Sequence, residues 1–181
     1  MKSNKLDVLD IVKNETDVND ILRLAEELQE KCSNLGFNPF QPGAIKEIKM
    51  AKILGHNWVK SKKKEDACSK DNLIKYEYLS GTEKGAGQID RFFKDGDGEQ
   101  HEKHLRSVER ITRNGSFFLA FTDENPTKPL HILRIYEVSP ENILNSARNQ
   151  LKNSINDIAH ISFDEKFAKN NGTLIYEEKS N

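Results

Sequence analysis

Residues 116–123 read SFFLAFTD, and Phe117 to Phe121 make an unbroken apolar run in a 181-residue chain that is 35% hydrophobic and 31% charged. A run of that length and polarity is a strand that belongs in a core. A Pro-containing turn follows, and then HILRIYEV at 131–138, so the two stretches predict a hairpin buried on at least one face.

The remaining elements are arranged around this pair. Residues 4–35 carry Leu, Ile and Val at three- and four-residue intervals, which predicts one long helix or two short ones, with Thr16 or Asp17 capping the second. SNLGFNPFQPG (33–43) is a loop by its Gly, Pro and Asn content. Helical spacing returns from Ala44 to Leu54, and Gly55 is a natural stop. Residues 73–79 and 88–93 read as extended, joined by a glycine-rich connection, and DGDGEQHEKH (95–104) as a polar loop. Ser139-Pro140-Glu141 opens a helix that runs through Ile143, Leu144, Ala147 and Leu151. A last short pair of strands, AHISF and GTLIYEE, closes the chain. The expected class is α+β (mixed α/β): N-terminal helices over residues 1–41, then an α/β core over 42–181. Its central, mostly antiparallel or mixed sheet has about four to six strands, with a helix packed on it.

The bulk properties narrow the function. No run approaches the roughly 18 apolar residues that cross a bilayer, and the N-terminus leads into an acidic periodic segment rather than a signal region, so no membrane partner is expected. Cys32 and Cys68 have neither disulfide-framework nor zinc spacing, which points to a reducing, cytoplasmic setting. The formal net charge is −1, which argues against a bulk polycation, while 28 Lys and Arg leave room for a one-sided basic surface.

The stretch KKKEDACSKDNLIKYEYLSG (62–81) holds the most specific chemistry. Asp66 and Glu77 flank a polar turn, and on neighbouring strands their carboxylates would offer hard oxygen ligands to a divalent cation such as Mg²⁺. The plain alternative is a solvated acidic pair on a short hairpin. Strand alternation puts Lys75, Glu77 and Leu79 on one face and Tyr76 with Tyr78 on the other.

A helix with a glutamate (AIKEIKMAKILGH), an Asp, a hairpin to YEYL, then strands and a helix resembles the core of the PD-(D/E)XK nucleases, over roughly residues 42–138. The small type II restriction endonucleases are the subset it is most similar to. The matching positions are Asp66 for the first acid, Glu77 for the second and Glu47 for the helical one. The resemblance implies a restriction-endonuclease-like core, metal held by Asp66 and Glu77, Mg²⁺ as cofactor, double-stranded DNA as substrate and a homodimer as the working form. The sequence departs from the family pattern at Leu79, where a lysine is expected. Either Lys75, two residues before Glu77 on the same face, serves instead, or the substitution inactivates the site. The second case leaves a nuclease-fold domain that binds DNA or another protein.

Further residues bear on DNA. Lys62, Lys63 and Lys64 form a basic cluster able to neutralise phosphates, or a solvated run beside Glu65 and Asp66. Gln88, Asp90 and Arg91 follow the glycine-rich connection and could reach base edges, or form a polar strand face. Arg106, Arg110 and Arg113 lie on one side of a helix if 101–112 is helical, either tracking a phosphate backbone or ion-paired with Glu102 and Glu109. His101 and His104 are the one pair of histidines with helical metal-sharing spacing.

Overall fold

A computed structural model describes residues 18–41, 43–60, 65–82, 85–124, 130–152 and 154–179. They divide into two compact units, the first ending at Ala44 and the second running from Ile45. In the first unit, helix α1 (Val18–Asn34) ends on Gly36, whose φ of 82° lets its amide turn back onto the Ser33 carbonyl at 2.9 Å. The predicted cap, Thr16 or Asp17, and the predicted helix before it lie outside the described residues.

The second unit is an α+β domain. Helix α2 (Ala44–Leu54) leads into strands β1 (Asn57–Trp58), β2 (Ala67–Cys68), β3 (Lys75–Thr82) and β4 (Gly85–Phe93). Helix α3 (Glu99–Thr112), strands β5 (Ser116–Thr122) and β6 (Ile132–Val138) and helix α4 (Pro140–Lys152) follow. Strand β7 (Ile158–Phe163), helix α5 (Glu165–Asn171) and strand β8 (Gly172–Glu177) complete it. The main path of the sheet is β1-β2-β3-β5-β6-β8, and β4 branches off β3 to pair with β7 as a two-stranded arm. Every pairing is antiparallel except β3 with β5, which run parallel from Tyr76↔Ser116 to Gly81↔Phe121.

The β5–β6 hairpin lies at the centre and is buried on both faces. Phe117, Leu119 and Phe121 pack with Leu79, Ile111, Ile143, Ala147 and Ile161. Phe118 and Ala120 pack on the other side with Met50, Ala51, Tyr78 and Ile135. Helix α2 therefore covers one face, and α3 and α4 the other. The unbroken apolar run follows from this two-sided burial.

Three local readings are corrected. The last two strands do not pair with each other: β7 joins β4, β8 joins β6, and α5 lies between them. The polar stretch 95–104 is loop only to Gly98, because α3 begins at Glu99. Its buried face is made of His104 and Ser107 as well as Ile111, so few of its inward positions are apolar. Finally, β3 runs three residues beyond Leu79 to Thr82.

Candidate functional site

Strand β3 has two partners on one edge. Near its start it pairs with β2 (Ala67↔Tyr76), near its end with β4 (Thr82↔Gly85), and the stretch between is where Glu77 sits. Asp66, just before β2, is tied to the residues on either side of Glu77. Its amide donates to the Tyr76 carbonyl at 3.1 Å, and its Oδ2 accepts from the Tyr78 amide at 2.9 Å. The carboxylate replaces a ladder carbonyl and is held beside Glu77.

Glu77 is the most perturbed acid of this group. Its Oε2 is buried and has no hydrogen-bond partner among the described residues. Burial, and then the Asp66 charge, push its pKa up to about 8, against the opposing pull of Arg110 and Arg113; Glu47 adds to the rise. Arg110 and Arg113 come from the last turn of α3 and its cap. Arg110 also donates to the Asp90 carbonyl, which links the acids to β4. Burial works against the Arg110 charge, while Glu77 and Asp90 support it. Glu47, on α2, is 8% exposed and accepts from Trp58 Nε1 at 3.4 Å.

Lys75 and Leu79, the neighbours of Glu77 on its strand face, are placed differently. The Lys75 ammonium lies 3.5 Å from Glu65 Oε2 and is half-exposed. Leu79 is buried in the main apolar cluster. Strand β4 lies so close over it that a Cβ on Gly87 would stand 2.5 Å from the Leu79 Cβ. The position two residues after Glu77 is thus part of the core.

Of the residues proposed to contact DNA, Gln88, Asp90 and Arg91 are exposed on β4. Asp90 pairs with His160 Nδ1 at 2.8 Å. Arg91 takes φ of 55° within an irregularity of the β4–β7 ladder, and its carbonyl accepts from Ser107 Oγ at 3.3 Å. Lys62, Lys63 and Lys64 lie outside the described residues. The arginine stripe of α3 splits: Arg106 pairs with Glu102 at 3.4 Å, whereas Arg110 and Arg113 act on Glu77. Their link to the acids was missed in the sequence, although the spacing that singled them out was its signal. His101 and His104 do not converge. One bonds Asp95 at 2.7 Å and the other the Phe93 carbonyl at 2.7 Å.

Among the described residues no group of three or more His, Cys, Asp or Glu side chains is arranged to hold a metal ion. What the hairpin offers is a pair of carboxylates with two guanidinium groups acting on it. That set suits a cation that keeps most of its own waters, as Mg²⁺ does, and the unpartnered Oε2 of Glu77 is an oxygen with a lone pair left for it. No protein-family model matches the chain, and no curated protein matches it in sequence.

Proposed function

We propose that the chain is a Mg²⁺-dependent endonuclease that hydrolyses phosphodiester bonds of double-stranded DNA at a specific sequence, in the manner of type II restriction enzymes. The observation that carries this reading is the buried Oε2 of Glu77 beside Asp66, which has no hydrogen-bond partner among the described residues. Asp66 and Glu77 would hold the cation, which when bound supplies charge neutralisation at the phosphate and an acidified water. Arg110 and Arg113 act on Glu77 and supply positive charge for the phosphate, the role that the resemblance gives to a lysine at position 79. Lys75 reaches the same face on a flexible stem once released from Glu65. Gln88, Asp90 and Arg91, exposed on β4 and linked to Arg110 through the Asp90 carbonyl, would read base edges. A homodimer would present two such sites to the two strands of a palindrome.

The test is plasmid DNA of mixed sequence incubated with the protein in Mg²⁺ and in chelator. Discrete fragments with Mg²⁺ alone, abolished by Glu77→Gln, are the expected result. A second reading is favoured by the burial of Leu79: a nuclease-fold domain without activity that binds DNA or another protein. Retarded DNA with no cleavage under any divalent cation would select it.

A further inference from the structure

Glu77 Oε2 shares its condition with a second atom. Among the described residues Asn114 Oδ1 is also a buried side-chain oxygen without a hydrogen-bond partner. Asn114 follows the cap of α3 and is 4% exposed. Its amide is fixed in orientation, because Nδ2 donates to the Arg110 carbonyl at 3.0 Å and a flip would set two oxygens against each other. Oδ1 is left in the interior with its lone pairs unused, a state that folded chains rarely keep without a function.

The contacts on either side of Asn114 bring it to Glu77. Arg113, the residue before it, acts on Glu77 together with Arg110. Gly115, the residue after it, donates its amide to the Lys75 carbonyl at 2.8 Å, and Ser116 then pairs with Tyr76. The buried face of α3 runs through His104, Ser107 and Ile111, and its spacing of three and four carries on to Asn114. Glu77 shares its strand face with Leu79, and Leu79 and Ile111 belong to one apolar cluster. Both oxygens therefore belong to the layer between β3 and the end of α3. With Glu77 ionised, both are acceptors only, and the pair calls for a cation.

Resting on the metal-dependent reading above, we propose that Asn114 Oδ1 is a third protein oxygen for the divalent cation, beside Asp66 and Glu77. An amide carbonyl is a hard oxygen of the kind that suits Mg²⁺. It adds a ligand without adding negative charge, in a place where burial and Asp66 already oppose the charge of Glu77.

Mg²⁺ is titrated calorimetrically into the full-length chain and into Glu77→Gln, Asn114→Leu and Asn114→Asp, all at one pH and without DNA. Both Asn114 variants lose the bond to the Arg110 carbonyl, so a purely structural role weakens both alike. Ligation moves them apart. Asn114→Leu is expected to bind Mg²⁺ about tenfold or more weakly, and Asn114→Asp, which adds a charged ligand, to bind it more tightly than the native chain. Unchanged affinity in Asn114→Leu, or weaker binding in Asn114→Asp, overturns the proposal. Circular dichroism checks folding, and if Asn114→Leu does not fold, Asn114→Asp decides alone. No Mg²⁺ binding by the native chain overturns this proposal and the metal reading together. Binding lost in Glu77→Gln but unchanged in both Asn114 variants removes Asn114 and leaves the metal reading standing.

Discussion

Glu77 is charged in the unfolded chain above pH 4.5 but protonated in the folded chain up to about pH 8. Between those values the folded form holds the extra proton, so this residue's contribution to stability is complete at low pH and is lost as pH climbs to 8. The full shift would correspond to several kcal/mol, and partial access of water to the side chain reduces it to ~2 kcal/mol. Glu77→Gln keeps the shape and removes the charge. Denaturant melts are expected to coincide with wild type at about pH 3 and to show the variant more stable by ~2 kcal/mol at about pH 8.5. Bound Mg²⁺ has the opposite trend, since it must displace the proton, and it raises the melting temperature more at the higher pH. Leu79 answers to packing. Leu79→Lys forces an ammonium into the apolar cluster and is expected to lower stability by ~3 kcal/mol, read from the denaturant midpoint, with no gain in cleavage per folded molecule.

The corner between β3 and β4 depends on one glycine. Gly87 has φ of 56° and no room for a Cβ above Leu79, so Gly87→Ala is strained twice, by its backbone and by contact with a core residue. A loss of ~2–4 kcal/mol is expected in equilibrium unfolding, and the substitution Gly85→Ala, where the space is open, serves as its control. Elements defined by one consistent signal were legible in the sequence. Helix α2 was expected at its observed bounds, Ala44–Leu54, and α4 opens as foreseen, with Ser139 Oγ accepting from the Asn142 amide at 3.2 Å. The β5–β6 hairpin was read from its apolar run, and the pairing of Asp66 near Glu77 from their spacing around a polar turn. What could not be read was long-range. Helix α5 has seven residues and buries Glu165, which is held by Arg134 and Tyr136, so its face has no apolar stripe. The turn of Arg110 and Arg113 toward Glu77 depends on where α3 crosses the sheet, which no local pattern encodes.

For the molecule as a whole, the proposed contact with DNA makes binding salt dependent, because each phosphate neutralised releases condensed counterions. Replacing Lys62, Lys63 and Lys64 together by Ala is expected to flatten the slope of log K against log salt by about two to three units in an equilibrium titration. An unchanged slope returns those lysines to a solvated surface.

The order in which the chain can assemble follows from the parallel pairing of β3 with β5. Its partners, such as Tyr76 and Ser116, are forty residues apart in sequence, whereas β2 and β3 are joined by a short turn. Local closure is fast and distant closure slow, so the β2–β3 hairpin forms while Glu77 is still in water and ionised. The arrival of β5 and α3 then buries it. At neutral pH that late step captures a proton from solvent, and refolding in a weakly buffered indicator solution releases a colour change that lags behind the first gain of secondary structure.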